Sequence, residues 1–366
     1  MQKKKYVILS VINDINGDQR LHRIASTLVE AGFELEIVGR KLPNSLPLAD
    51  RPYKMHRMRL LFKKGKLFYL EYNLRLFFLL LFRRVDILTA NDLDTLLPNY
   101  LVSRLRSKKL VYDSHEYFTE VPELIDRPLT RSIWLRLEKS LFPRLSQAYT
   151  VNASIARIYT DTYGIPVSVI RNLPFSRESR NDKKNKVLIY QGALNLARGI
   201  ELMIDAMPYL EEFELWIVGK GDIEQSLKER AKRIDPLGKQ IQFKGFVRPK
   251  DLPELTRQAG LGLSLEEDRG LSYHYASPNK VYDYIQSGLP VLVADLPEMK
   301  AVVKRYKIGE VLKAEERTAS ELAKRIKHIF KEPEYDKYQK NTYLAGQELC
   351  WEKERENLTQ IYKKLI

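Results

Sequence analysis

Cysteine is nearly absent: the 366 residues hold one, Cys350. That excludes an intrachain disulfide framework and every cysteine-based zinc knuckle, and it fits a reducing compartment. Histidine is sparse as well, five in all with no H-x-x-x-H pair, so no zinc site is expected. Glycine and proline, at 17 each, are too few for a collagen-like or low-complexity chain. Long apolar runs are missing. The longest, Leu76 to Phe82, falls far short of the ~18 residues that span a bilayer. The start MQKKKYVILSVINDINGD is basic, but Asn13 and Asp14 break its apolar run and no small-residue cleavage site follows. A signal peptide is therefore not expected. The expectation is a cytoplasmic protein, soluble or held peripherally at a membrane.

What is present is enough apolar residue for real cores, 44%, and a great deal of charge, 30%. At roughly 150 residues per domain the length suggests two domains. The net charge of +15 is uneven: residues 1–180 carry +12 and the remainder +3. Residues 51–84 concentrate it, with Arg51, Lys54, Arg57, Arg59, Lys63, Lys64, Lys66, Arg75, Arg83 and Arg84 against one acid, Glu71. Leu, Phe and Tyr interleave with these cations. Such a mixture suits an anionic membrane surface. A core-packed helix with a basic exposed face is the alternative. No recognition motif accompanies the charge, so nucleic acid is not an expected partner.

Strand-like and helix-like apolar runs alternate, which points to an α/β chain with parallel sheets. Strands are expected at 6–12, 34–38, 86–89, 109–113, 148–151 and 167–170 in the first half. In the second half they are expected at 187–190, 214–218, 241–243, 261–265 and 291–294. Leu21, Ile24, Ala25, Leu28 and Val29 have helical spacing, stopped by Gly32. Residues 171–185 are polar, without apolar period, and read as an interdomain linker. Doubly wound domains bind ligands at the carboxyl ends of their strands, so a cleft between two of them is the expected site.

The segment SPNKVYDYIQSGLPVLVAD is the most informative. Ser277 suits an N-cap and Pro278 the first helical position. Asn279 and Lys280 then stand at the positive end of the helix, a ready anion site to which Lys280 adds a full charge. Asp283 lies on the same face one turn on, placed to accept hydrogen bonds from ribose hydroxyls. An ordinary Lys280–Asp283 surface pair is the plain alternative.

This string resembles the donor-sugar helix of GT-B glycosyltransferases, specifically the retaining, family-4-like group. Other stretches are similar to the same family: DINGDQRLHRIASTLVEAGFELEIVG, ANDLDTLLP with LVYDSHEYFTE, and YQGALNLARGIELMIDAM with WIVGKGD. ANDLDTLLP with LVYDSHEYFTE looks like bacterial members that act on surface polysaccharides such as capsule or lipopolysaccharide, and YQGALNLARGIELMIDAM with WIVGKGD like the start of the nucleotide-binding domain. The resemblance implies two Rossmann-like, doubly wound domains facing a cleft. They would be an acceptor-side domain over 1–172 and a nucleotide-sugar domain over 173–345, with a helix over 346–366 crossing back to pack on the first. Asp283 matches the carboxylate that binds the donor ribose. Tyr275 stands where a second Glu usually meets the sugar. Gly192 and Arg198 stand in for the diphosphate grip, with Lys280 compensating for a missing cation. Ser277 and Asn279 flank that site. Gly17, with Asp14 and Asn16, belongs to the loop that approaches sugar and acceptor. His115 matches the active-site histidine, orienting the sugar or stabilising positive charge, and Glu116 is its orienting acceptor.

Three other signals carry less. Asp92 and Asp94 are expected as helix caps before TLLPNYLVSRL rather than as metal ligands. Glu266, Glu267 and Asp268 read as a solvated loop or an acceptor contact. Gly219-x-Gly221 is weak as a phosphate loop. The expected activity is transfer of a sugar from a UDP- or GDP-sugar to a lipid-linked or polysaccharide acceptor, with no metal or other cofactor. A sugar-nucleotide epimerase and a basic, non-catalytic binding protein are the other classes.

Overall fold

The computed structural model describes residues 4–177 and 185–366; part of the expected linker, 178–184, lies outside the described residues. The chain divides into two compact units, residues 1–172 with 354–366, and residues 173–353. The second boundary therefore falls inside the last helix, Trp351–Lys363, rather than at the expected 345/346.

The first unit is built on seven parallel strands: β1 (Tyr6–Ser10), β2 (Glu34–Arg40), β3 (Lys54–Met58), β4 (Ile87–Asn91), β5 (Lys109–Ser114), β6 (Ala148–Thr150) and β7 (Val167–Val169). Their order across the sheet is β3-β2-β1-β4-β5-β6-β7. The order reverses between β1 and β4, and the crevice beyond the carboxyl ends of such neighbours is where doubly wound sheets bind ligands. Strands β1 and β4 are buried on both faces, as covered parallel strands must be. Helix α1 (Gln19–Glu30) is capped by Asp18, which accepts from Leu21 N at 2.9 Å. It buries Leu21, Ile24, Ala25 and Leu28 on the sheet, as their spacing requires. Helix α2 (Lys66–Phe82) and helix α3 (Leu93–Leu105) pack beside each other. The last helix adds Leu358, Ile361 and Tyr362 to this unit's core, and the Tyr362 hydroxyl lies 2.8 Å from Thr89 Oγ1.

The second unit repeats the plan with six parallel strands: β8 (Val187–Gln191), β9 (Glu214–Val218), β10 (Ile241–Gly245), β11 (Leu261–Ser264), β12 (Val291–Ala294) and β13 (Gly309–Leu312). The order is β10-β9-β8-β11-β12-β13, with its reversal between β8 and β11. The helix Asn279–Gln286 lies across that reversal because of one side chain. The Tyr284 hydroxyl accepts from Gln191 N at 3.1 Å and donates toward the carbonyls of Ile189 and Leu263. Its ring rests directly on β11, where a Cβ on Gly262 would stand 2.3 Å from it.

Two strands were not expected from the sequence, β3 and β13, and each is an edge strand of its sheet. An edge strand need not be apolar, and KMHRM lacks the alternation that marks a strand. The basic segment 51–84 is therefore a strand, a loop and a helix, not one helical stretch.

Candidate active site

In the second unit the sequence-predicted residues gather at the carboxyl ends of β8 and β11. Gly192 follows β8 with φ +145°, a conformation that side chains avoid, and a Cβ there would lie 3.3 Å from Lys280 Cε. Gly219, at φ +138°, brings the next strand end against it, with an added Cβ only 1.9 Å from the Gly192 carbonyl oxygen. Lys280 points into this corner. It is buried, donates to Glu266 Oε1 at 2.5 Å and lies 4.4 Å from the centre of the Tyr190 ring. Ser264 Oγ donates to the other Glu266 oxygen at 2.7 Å. Burial favours the neutral forms of both groups. It pulls Lys280 below its ordinary value, whereas the Lys280 charge and two hydrogen bonds hold Glu266 down as a carboxylate.

Several expectations change here. Glu266 is not part of a solvated loop but the buried counter-ion of Lys280. Its neighbours turn elsewhere, Glu267 to Arg269 and Asp268 to His274. Among the described residues no cluster of acids or histidines is arranged to hold a metal ion. Lys280 is half of a neutral pair rather than an extra full charge at the helix start. Ser277 does not cap that helix. Pro278 occupies the cap position without a side-chain bond, and Ser277 Oγ lies 2.8 Å from the Tyr282 hydroxyl. Proline has no side-chain acceptor, so the first N–H groups of this helix receive no side-chain cap from it. Asp283 does not pair with Lys280. Gln191 Nε2 donates to it at 3.3 Å, and Thr256 Oγ1 donates to Gln191 Oε1 at 2.8 Å. Arg198 lies over the Tyr273 ring at 5.0 Å, with its buried Nε unbonded. Asn279 is exposed, and Tyr275 is half-buried against the His274 ring.

In the first unit His115 follows β5, and carboxylates face both of its ring nitrogens. Asp92 Oδ2 is 3.3 Å from Nδ1, and Asp113 Oδ2 is 3.1 Å from Nε2. Asp113 is fully buried and also accepts from Arg20 Nη2 at 2.8 Å, while Arg20 Nη1 donates to Ile170 O. Burial alone would lower His115, but Asp92 and then Asp113 outweigh it and lift it to about 9. Burial alone would raise Asp113, but Arg20 and then His115 hold it at about 2. At neutral pH His115 is thus an imidazolium between two carboxylates, a fixed positive charge with no free lone pair to act as a base.

Asp92 stands at the N-cap position of α3 yet makes no capping bond there. Its carboxylate instead accepts from His115 N at 2.8 Å, and its own N–H donates to Asp113 O at 2.8 Å. The backbone takes φ +60°, ψ 167° to allow this, at a cost of about 1–3 kcal/mol. Asp94 is buried within α3, where burial and then Asp92 raise its carboxyl well above the ordinary range. Glu116 is exposed, so the carboxylates that face the imidazole are Asp92 and Asp113. Asp14 and Asn16 tie the loop after β1 to residues 45–47. Ser45 Oγ donates to Asp14, and Asn16 Nδ2 donates to the carbonyls of Leu46 and Pro47. Gly17 is open, with nothing within 4 Å of where a Cβ would sit.

Arg20, Asp113 and Gln191 were not singled out from the sequence as site residues, and Glu266 was not read as a partner of Lys280. Two left a signal: an acid inside the apolar strand LVYDS and an arginine on the apolar face of α1 must each bury a partner.

Comparison with known proteins bears on the family and the fold. Residues 18–173 match the family described as Glycosyltransferase Family 4, and residues 174–344 match Glycosyl transferases group 1. A curated relative, the chitobiosyldiphosphodolichol beta-mannosyltransferase of Candida albicans, is 22% identical over 255 residues. That match covers 62% of this chain, which spans about half (55%) of the relative's length. Anabaena Alr3699/HepE, solved in complex with UDP, superposes with a TM-score of 0.74 at 16% identity, covering 98% of this chain and 100% of that one. WaaG, a glycosyltransferase involved in lipopolysaccharide biosynthesis, gives 0.71 at 14% identity, covering 97% and 99%. With two successive family matches from residue 18 to 344 and two parallel, doubly wound units, the chain belongs to the GT-B glycosyltransferases of the family-4-like type.

Proposed function

We propose that this glycosyltransferase takes a UDP- or GDP-sugar as donor and a lipid-linked or polysaccharide acceptor of bacterial surface-glycan assembly, retains the anomeric configuration and needs no metal ion. The observation that carries the donor half is the corner at the ends of β8 and β11. There Gly192, Lys280 and Arg198 offer backbone and cations to a diphosphate, and Asp283 stands one helical turn from Asn279. Glu266 sets a carboxylate 2.5 Å from the Lys280 Nζ and opposes the effect of its burial. A diphosphate in the corner would share Lys280 with Glu266 and take the charge of Arg198, stabilising the leaving group as the glycosidic bond breaks. The Anabaena neighbour was solved with UDP, and the Candida relative's name contains a diphosphate-linked lipid; both are consistent with this reading.

In the first unit the imidazolium of His115, held by Asp92 and Asp113, would serve the transfer step as a fixed charge and hydrogen-bond donor rather than as a base. An acceptor anchored in lipid brings the enzyme to the cytoplasmic face of a membrane, with residues 51–84 the candidate contact. Calorimetry with UDP, GDP and their sugar conjugates is the test. One nucleotide should bind, and Asp283→Ala should lose it; a folded protein that binds none of them would overturn the proposal. Activity unchanged by a chelator, and a product whose anomeric proton matches that of the donor, are the expected results for the metal and stereochemical parts.

A further inference from the structure

Asp94 is held by its main chain and not by its side chain. Asn73 Nδ2 donates to Asp94 O at 3.1 Å, fixing α2 beside the start of α3. The residue is 6% exposed, and its Oδ1 is buried with no partner among the described residues. Arg40, the last residue of β2, repeats the pattern. Its Nε is buried without a partner among the described residues, and its guanidinium lies 4.5 Å from the centre of the Phe68 ring. Arg40 is one of the charges that act on Asp94, yet no ion pair joins the two. Native proteins seldom keep a buried polar group unbonded without a use for it.

Both groups stand at the carboxyl end of the first sheet. Arg40 N donates to Asn13 O at 3.1 Å, and Tyr72 OH donates to Val11 O at 2.7 Å, each in the loop after β1. Tyr69, one turn before Tyr72 on α2, is half-buried. Burial and then Asp94 raise its hydroxyl, and Arg40 opposes them. The surrounding charges select the ligand. Asp92 and Glu116 also act on Asp94 and oppose an anion, while Arg40 and the His115 imidazolium oppose a cation. A neutral polyol meets no such opposition, and each of its hydroxyls both donates and accepts.

We propose that Arg40, Tyr69 and Asp94 form a subsite for one sugar of the acceptor glycan, whose hydroxyls bridge the Arg40 guanidinium and the Asp94 carboxyl. One hydroxyl would accept from Arg40 Nε and a second would bond to Asp94 Oδ1, with the Tyr69 hydroxyl beside them. Each buried atom then gains the partner it lacks. Burial favours the protonated carboxyl, so Asp94 offers the sugar a donor as well as an acceptor. Calling that sugar the acceptor rests on the transferase reading; the subsite itself lies wholly within the first unit.

Saturation-transfer NMR and calorimetry test it, with the methyl glycosides of glucose, galactose, mannose and N-acetylglucosamine added to the full chain without nucleotide. At least one should bind. Asp94→Ala, and Arg40→Met, which keeps an apolar stem over Phe68, should each weaken that binding about tenfold. Asp94→Asn, whose amide also donates and accepts, should stay within about threefold of the wild type. Asp94→Ala should melt no lower than the wild type, because it removes a buried carboxyl oxygen that has no partner to lose. A purely structural Asp94 predicts the reverse, a lower melting temperature with unchanged glycoside affinity, and that result would overturn the proposal. So would binding of none of these glycosides, or wild-type affinity in both Asp94→Ala and Arg40→Met. Displacement of the glycoside by inorganic phosphate at constant ionic strength would assign the groups to an anion instead. Calorimetry with UDP and GDP on the same protein keeps the two readings apart. Nucleotide binding without glycoside binding sinks the subsite alone, and glycoside binding without nucleotide binding sinks the transferase reading alone.

Discussion

Two buried charge clusters make the residue scale testable. Glu266→Gln leaves Lys280 buried without its counter-ion, and breaking such a pair costs about 3–5 kcal/mol. Chemical denaturation should show that loss, with part of it recovered in Glu266→Gln/Lys280→Met. His115 gives a pH signature with a definite sign. Its folded value, about 9, lies above its ordinary one, so its contribution is complete below pH ~6.5 and disappears as pH rises through 9. Asp113, held at about 2, contributes fully above pH ~4, and that is lost as pH falls through 2. Stability should therefore be greatest between these limits and decline on the alkaline side. Imidazole resonances in NMR should show His115 protonated to about pH 9, and Asp92→Asn should bring its titration down. The sequence singled out His115 and Asp283 but not the groups that face them. Asp92 precedes a helix, which makes it look like a cap. Only the carboxyl ends of β4 and β5, lying side by side, turn it toward His115.

Among the elements, those that make each core were legible because burial leaves a pattern in the sequence: α1 by its apolar face, and strands such as β1, β8 and β12 by their runs of Val, Leu and Ile. Two of the four edge strands, β3 and β13, were not, although β7 and β10 at the opposite edges were. β3 and β13 have one neighbour each, so nothing required their sequences to be apolar. The limits of the Asn279 helix were misread by one residue for a local reason, the proline that serves as its cap. Packing between elements sets the next expectation. Gly262→Ala would drive a methyl group into the Tyr284 ring that seats this helix on β11. A loss of about 1–3 kcal/mol is expected from such overpacking, together with weaker nucleotide binding as Lys280 and Asp283 shift. Wild-type nucleotide affinity in a destabilised Gly262→Ala protein would mean that the helix does not position the site.

For the whole molecule, the division into two doubly wound units was readable from alternating strands and helices, whereas the ownership of the last helix by residue was not. Glu354 accepts from Arg171 N, Nε and Nη2, and Leu358 and Tyr362 are wholly buried in the first unit. Deleting residues 354–366 should therefore lower the stability of the first unit by roughly several kcal/mol, while the second keeps its nucleotide affinity. Glu354→Ala should reproduce part of that loss. The same arrangement sets an order of events during synthesis. Domains on a growing chain ordinarily fold as they emerge, the first made being the first complete. Here the first unit lacks Leu358, Ile361 and Tyr362 until the whole of the second has been translated. The unit translated first is completed only after the second, so its sheet waits, partly uncovered, for the helix that carries Leu358, Ile361 and Tyr362.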